Sequence, residues 1–537
     1  MDSNQSMPVV SLATLFPAVL SNVLPNELPN VNTSETAAVD WQTLLVTGIK
    51  EDSRAIVSGD LFVARDGESF KGSDYIEAAA KRGAVAALVN KEQHAVAELE
   101  LNRYSIPVIA IENLAYSIGA IAAQVFANLV SKLTIIGVTG TNGKTSCAHY
   151  IAQALNSLGV KTFIIGTLGN GEPSALAEAS RTTPDACSLQ QMFADFYQRG
   201  ARAVVMEVSS HALVQGRVQG VPFKVVAYTN LSRDHLDYHG DMQHYAAAKA
   251  QLFTDFSAEH KILNLDDRYN RQLAGELAEG SVTSYSEDHR RNADFTAQQI
   301  ALDNGLNFVL KKQTAGQLML LPFKSQLLGK FNVANLLLTT AVLSKLGYSD
   351  RQVQQSISQL QPVPGRMQNV INPKLVEQPL CIVDYAHTPD ALEKALQASR
   401  IHCVGKLILV FGCGGDRDNG KRAEMAKVAE CNADVVIVTS DNPRTEEPKA
   451  IIEMITRSFA AASQYQIISD RRAAIYRAIN GAEAADLVLV AGKGHEDYQE
   501  IMGVKQHFSD AEVVLEGLAN WAASKSSDSP SNRGVSQ

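Results

Sequence analysis

The chain lacks most of what would assign it quickly to a simple class. None of its six cysteines form a CxxC pair, so no thioredoxin-type redox motif or zinc knuckle is written into it. Cys147, Cys187, Cys381, Cys403, Cys413 and Cys431 sit mostly in apolar runs or beside glycine turns, as buried small hydrophobes in a reducing compartment do. No uninterrupted apolar stretch approaches the roughly 20 residues needed to cross a bilayer. Met1 to Pro8 lacks the basic-then-apolar pattern of a secretory leader, so a cytoplasmic location without a membrane segment is expected. Positive charge is not in excess either: 48 Lys and Arg face 57 Asp and Glu, a net charge of -9. That balance argues against a protein that coats nucleic acid, while leaving room for a local cationic cleft. No fixed-period repeat is present.

What is present is a long chain of ordinary globular composition. At 537 residues, 45% hydrophobic and 20% charged, with 35 Gly and 17 Pro, it is too long for one core and too apolar to be disordered. Three units are expected. In the first, Asp60 to Ala64 and Ala84 to Val89 read as strands and Tyr75 to Arg82 as a helix. The second opens with a buried strand, Leu133 to Val138, then a glycine-rich loop, a helix from Lys144 to Leu158 and a strand from Val160 to Ile165. Val204 to Val208 and Val225 to Tyr228 read as further strands, each ending in a polar loop. The third follows the Pro362-Val363-Pro364-Gly365 hinge. Four apolar runs (Cys381 to Asp384, Lys406 to Phe411, Val435 to Thr439 and Leu487 to Ala491) alternate there with helical segments, which points to a second doubly wound α/β sheet. Ser524 to Gln537 is polar and serine-rich and is expected to be a disordered tail.

The strongest local signal is Gly137-Val138-Thr139-Gly140-Thr141-Asn142-Gly143-Lys144-Thr145-Ser146. Backbone N–H groups of such a turn, at the start of a helix, can cradle phosphate oxygens. Lys144 would reach the β and γ phosphates of ATP and Thr145 would hold magnesium. The spacing differs from the ordinary Walker pattern, because Val138 stands where its first glycine would be.

Glu207 closes an apolar strand and precedes Ser209-Ser210-His211, a good position for a magnesium-holding carboxylate. Thr229 to His239 packs two histidines, two aspartates and an arginine into one loop. Lys249 lies in the helical stretch Tyr245 to Phe253, and periodicity alone reads it as a surface lysine. Ser53-Arg54 and the Gly59-Asp60 turn form only a weak ligand pattern.

Taken together and in order, these segments resemble the Mur ligase family. The motifs are Thr139 to Ser146, Thr182-Thr183-Pro184-Asp185, Glu207 to His211, Asn230 to His239, Asn332 to Asn335, Pro364-Gly365-Arg366, Asp384 to Pro389, Gly412 to Arg417, Asp441 to Arg444 and Gly492 to Glu496. They span about residues 50 to 510. Within the family, the set is similar to members that add the third residue of the peptidoglycan stem. The resemblance implies a three-domain α/β architecture. Residues 1–120 would bind the UDP-sugar, 121–364 would form a central P-loop ATPase-like domain, and 365–523 a C-terminal Rossmann-like domain for the amino acid. The tail would be 524–537.

The resemblance also implies roles. Lys249 would be carbamylated to N6-carboxylysine and would hold a second magnesium with Glu207 and His235. Gly140, Thr141, Asn142, Gly143, Lys144, Thr145 and Ser146 would bind ATP, with Asn332 and Asn335 on the adenine side and Arg366 and Asp384 at the domain junction. Thr182, Thr183, Ser209, Gln215 and Arg217 would grip the uridine-linked muramoyl peptide, and Ser53 and Arg54 its nucleotide end. There this chain departs from the family, with Glu51-Asp52 where a threonine often precedes the serine and arginine.

Arg417, Asp441, Asn442, Arg444, Gly492 and Glu496 match the amino-acid contacts. The form Asp441-Asn442-Pro443-Arg444 resembles the meso-diaminopimelate-adding members, whereas lysine-adding ones usually lack the arginine. The chemistry agrees: diaminopimelate carries a second carboxylate on its distal carbon, which a guanidinium fork can bind through two bonds. The implied reaction joins meso-2,6-diaminopimelate to UDP-N-acetylmuramoyl-L-alanyl-D-glutamate, with ATP, Mg2+ and an acyl-phosphate intermediate, in a monomeric enzyme. The alternatives are a lysine-adding or folylpolyglutamate-like ligase, or an inactive nucleotide-binding relative.

Overall fold

The computed structural model describes residues 9–16, 43–67, 70–91, 104–278, 280–302, 305–314, 317–460 and 465–527. Most of the first thirty residues lie outside this set. Among the described residues no helix is long and apolar enough to cross a membrane. Contacts divide the chain into two compact units. The first comprises residues 1–139, 155–227 and 248–261, and the second residues 140–154, 228–247 and 262–537.

The first unit holds two sets of parallel strands. Gly48–Lys50, Asp60–Val63, Ala86–Asn90 and Val108–Ile111 pair in chain order, all parallel. Ile56, Phe62, Ile76, Ala79 and Val89 form a core beneath them, with the short helix Ile76–Lys81 where the alanine-rich run predicted one. In the second set, Ala203–Glu207 runs parallel between Thr134–Thr139 and Thr162–Gly166. All of its side chains are buried. A strand sealed on both faces reads as a continuous apolar run, which is why the sequence displayed it.

The second unit carries an antiparallel meander that no motif announced: Phe295–Ala301, Leu306–Thr314 and Gln317–Ser325. Exposed positions interrupt its apolar ones.

A further sheet of this unit has six strands in the order Gln368–Val370, Leu380–Asp384, Leu487–Ala491, Leu407–Phe411, Val435–Val438 and Tyr465–Ile467. Only the first runs antiparallel. Alternation along one strand builds two cores. Leu407, Leu409 and Phe411 join Leu392, Leu396 and Met425 from the helices Pro389–Ile401 and Gly420–Asn432. Ile408 and Val410 join Ile475, Ile479, Val514 and Trp521 from Arg471–Asn480 and Asp510–Ser527. This is the expected doubly wound arrangement. The last helix runs on to Ser527, so the stretch expected to be disordered begins in helix; residues 528–537 lie outside the described set.

Candidate active site

In the second unit, the glycine-rich loop leads into the helix Lys144–Ser157. Gly140 has φ +140°, and a Cβ there would lie 1.9 Å from Thr229 Oγ1; Gly143 has φ +86°, and a Cβ would lie 2.9 Å from Asn335 Oδ1. Neither position has room for a side chain, so both glycines are required by fit as well as by conformation. The loop is stitched to the polar segment after Tyr228. Thr141 N donates to Asn230 O at 2.8 Å, Asn142 N to Asn230 Oδ1 at 3.0 Å and Thr229 Oγ1 to Asn142 O at 2.6 Å. Lys144 Nζ donates to the carbonyls of Gly140 and Thr141, both at 2.9 Å.

Asn332 and Asn335 are both buried at the start of the helix Asn332–Lys345. Asn335 Nδ2 donates to Asn332 Oδ1 at 2.8 Å, and Tyr150 OH lies 3.3 Å from the same oxygen. The pair therefore braces the helix that follows the loop. Arg366 Nη2 lies 3.3 Å from the buried Thr145 Oγ1, and its guanidinium stacks 4.3 Å from the Tyr385 ring centre. Asp384 closes its strand and accepts from Met367 N at 2.6 Å. Burial raises its pKa, against the opposing pull of Arg366.

The loop after Tyr228 delivers a linked acid–histidine set. His235 takes a left-handed conformation at φ +54° and caps the short helix Leu236–His239. Asp234 lies 3.4 Å from His235 Nε2 and 3.8 Å from His387 Nε2. Burial opposes the Asp234 charge, but the nearby His387 and His235, with Lys421, hold its carboxyl far below the usual range.

The loops at the C-terminal ends of the six-stranded sheet gather the predicted amino-acid contacts, where open α/β sheets place ligands. Arg444 is left-handed at φ +53°. Its backbone is sewn to the hairpin Tyr498–Ile501 and Val504–His507, by its N–H to Glu500 O at 3.0 Å and its carbonyl to Met502 N at 2.6 Å. Its Nη1 donates to Gly415 O at 2.7 Å, and its Nε lies 3.9 Å from Glu500 Oε2. Asn442 Nδ2 donates to Glu496 Oε2 at 2.7 Å. Burial and the neighbouring Asp441 raise the Glu496 pKa, while Lys493 opposes them. A Cβ on Gly492 would lie 2.3 Å from Asp441 Oδ2. Arg417 is exposed and donates to Asp416 O at 3.2 Å.

Sequence reasoning left two supports of this pocket without a role. Lys493 is fully buried, and Arg471 forms a doubly bonded ion pair with Asp510, both 0% exposed. Lys493 stood in a quoted motif with no assignment. Asp510 is 39 residues from Arg471, so no local pattern could have shown the pair.

The first unit collects the residues expected to hold the muramoyl peptide. Thr183 Oγ1 donates to Glu207 O at 2.8 Å and accepts from Ser209 N at 3.1 Å. Arg217 Nη1 donates to Thr183 O at 3.0 Å, and its Nε to Gln215 Oε1 at 2.9 Å. Thr182 Oγ1 lies 3.1 Å from Thr167 Oγ1, and Thr167 N donates to Glu207 Oε1 at 2.9 Å. Ser53 and Arg54 form a short turn in which Arg54, largely exposed, pairs with Asp52 at 2.8 Å. Glu51, Asp185 and Cys187 bring ligand atoms within 4.8 Å of one another, but Arg65, 3.5 Å from Glu51, already neutralises part of that charge.

Lys249 corrects the periodicity reading. It lies on the helix Met242–Thr254 and is 1% exposed, not a surface lysine. The alanines around it let that face of the helix pack inward, which hydrophobic periodicity does not register. Glu207, also in this unit, is equally buried at 1%.

Three family models tile the chain: the Mur ligase family catalytic domain over residues 45–125, the Mur ligase middle domain over 138–343 and the Mur ligase glutamate ligase domain over 365–494. The UDP-N-acetylmuramoyl-L-alanyl-D-glutamate–2,6-diaminopimelate ligase of Pseudomonas aeruginosa is 45% identical over 478 residues, 89% of this chain and 96% of that protein. This chain belongs to the Mur ligase family. The Coxiella burnetii protein of the same name is 44% identical over 481 residues, 88% of this chain and 96% of its own length. A solved structure carrying that name superimposes with a TM-score of 0.66 at 34% identity, covering 96% of this chain and 99% of that one. The MurF ligase of Thermotoga maritima, at 18% identity and a TM-score of 0.60, shares the fold. The Mur ligase architecture expected from sequence is thus established.

Proposed function

We propose that this Mur ligase joins meso-2,6-diaminopimelate to UDP-N-acetylmuramoyl-L-alanyl-D-glutamate at the expense of ATP, in peptidoglycan precursor synthesis. The observation that carries the specificity is that Arg444, bonded to Gly415 O, and the hydrogen-bonded pair Asn442–Glu496 lie on loops at the same sheet edge. A guanidinium suits a distal carboxylate and an ionised glutamate suits an ammonium, and diaminopimelate offers both. Lysine offers no distal carboxylate, so its complex would leave Arg444 without that partner.

In the reaction, the γ-carboxylate of the D-glutamyl residue attacks the γ-phosphorus of ATP and ADP leaves. An amine of diaminopimelate then attacks the acyl phosphate, phosphate departs, and the amide remains. No protein nucleophile is required, so the protein contributes position and charge. The loop amides and Lys144 neutralise the phosphates, and Lys144 must leave the Gly140 and Thr141 carbonyls to do so. Asn332, Asn335, Arg366 and Asp384 hold the nucleotide. Thr182, Thr183, Ser209, Gln215, Arg217, Ser53 and Arg54 orient the acceptor.

Thr145 and Glu207 offer the oxygen donors that magnesium takes, His235 would add a ring nitrogen, and carbamylation would turn Lys249 from a cation into an anion able to sit beside a metal ion. Bound magnesium would shield the phosphate charges from the attacking carboxylate. Division at residues 120 and 364 into UDP-sugar, ATP and amino-acid domains, and a cytoplasmic location, belong to the same reading.

The test supplies purified protein with ATP, magnesium and UDP-N-acetylmuramoyl-L-alanyl-D-glutamate, and offers meso-diaminopimelate or L-lysine in parallel. Phosphate release and a tripeptide mass only with diaminopimelate are expected. Preference for lysine would keep the ligase and overturn the role of Arg444.

A further inference from the structure

Lys493 lies between Gly492 and Gly494 with its side chain 0% exposed, so it cannot itself touch a substrate. Its Nζ donates to Asn442 Oδ1 at 2.9 Å and to Glu496 Oε2 at 3.3 Å, with the Tyr498 ring centre 5.5 Å away. Asn442 Oδ1 also accepts from Glu500 N at 3.0 Å, while its Nδ2 donates to Glu496 Oε2. The amide has one workable orientation, since a flip would set its NH2 against two donors. Glu496 Oε2 is thus held from two sides, and these bonds leave Oε1 to other uses.

We propose that Lys493 is a positioning residue for amino-acid recognition, locking Asn442 and one oxygen of Glu496 so that the carboxylate can receive an amine of the incoming amino acid. This rests on the reading that the loops 441–444 and 492–496 take that amino acid. The charge balance around Glu496 explains why a cation is needed there. Burial and Asp441 both work against its ionisation, Arg471 is committed to Asp510, and Lys493 is the cation bonded to it directly. Tyr385 and Tyr498, the other titratable neighbours, are both raised, chiefly by burial, and remain neutral at physiological pH.

The test compares Lys493→Met, which keeps length without charge, with Lys493→Gln, which keeps a donor without charge. With full-length protein, Lys493→Met should raise KM for the amino acid roughly 10- to 100-fold while KM for ATP stays unchanged. The acid limb of kcat/KM for the amino acid should move to higher pH in both variants, with a smaller rise in KM for Lys493→Gln. In a Glu496→Gln background, Lys493→Met should add little. An unchanged KM, a parallel rise in KM for ATP, full additivity with Glu496→Gln, or failure of both variants to fold would each overturn the role. Wild-type turnover separates the two ideas. Use of lysine in place of diaminopimelate overturns the specificity reading but still tests Lys493 on lysine, whereas no turnover with either overturns both.

Discussion

The phosphate loop and the amino-acid pocket both sit in the second unit, yet they are built in opposite ways. The loop is a run of adjacent residues, held mostly through its backbone, by hydrogen bonds from Thr229, Asn230 and its own Lys144, and shaped by two glycines. The pocket is assembled from segments near residues 415, 442, 471, 496 and 510, and is held by buried charge. A phosphate brings its own strong charge, so backbone N–H groups in the right curve suffice for it. Telling one amino acid from another requires charges that stay fixed in a dry place, and buried charges must themselves be held by further charges. A contiguous stretch supplies the groups of the first kind of site, whereas the groups of the second come together only through long-range packing.

That difference should show first in stability. Arg471→Met leaves Asp510 buried without its cation and should cost about 3–5 kcal/mol in urea unfolding. The pocket would then fail by unfolding. A loss below ~1 kcal/mol would mean that the pair carries little of the pocket's structure, and the contrast with the loop would weaken.

The loop should fail by chemistry instead. Lys144→Met removes a partly exposed cation whose Nζ donates to the loop carbonyls of Gly140 and Thr141. Turnover should fall by about 10²–10³-fold with stability nearly unchanged. A matching loss of stability would break the contrast. Next in size, Arg444→Ala should lower kcat/KM for diaminopimelate by roughly 10- to 100-fold. Lysine should be affected far less, so the ratio of the two amino acids is the quantity to measure.

The same contrast explains what could be read in the sequence. The loop, the strand ahead of it and the helix behind it were legible because the chemistry is contiguous: Gly140, Gly143, Lys144 and Thr145 lie within six positions. The parallel strands were legible as continuous apolar runs. Arg444 and Glu496 were recognisable through their motifs, but the supports that fix them were not, because Arg471 meets Asp510 and Lys493 meets Asn442 only after folding. Lys249 was misread for the same reason: alanine neighbours give no amphipathic signal, and burial came from tertiary packing. The antiparallel meander from Phe295 to Ser325 went unseen because exposed and buried positions mix along it.

The smallest effect concerns the place where the two constructions meet. His149 lies on the loop's helix, His495 belongs to the pocket's Gly492–Glu496 motif, and each is electrostatically felt near Arg366. His149 Nε2, His495 Nδ1 and Arg366 Nη1 are buried without hydrogen-bond partners. Burial first, and Arg366 second, lower His149 to about 4 and His495 to about 3. Both rings are therefore neutral in the folded protein at pH 5.5, while the unfolded chain, titrating near 6.5, binds a proton on each. Where the unfolded state binds more protons, stability rises with pH. The contribution is complete above pH 6.5, starts to fall below it, and is lost as the pH drops toward 4. Each ring should account for about 1 kcal/mol of lost stability at pH 5.5 relative to neutral pH. Denaturation curves at pH 7.5 and 5.5 for the wild type, His149→Gln and His495→Gln should show each variant removing its share of the drop. If only His495→Gln flattens the dependence, acid sensitivity belongs to the charged pocket alone. If both do, the helix behind the loop shares the pocket's dry interior, and the two constructions are bound together there by one desolvated cation.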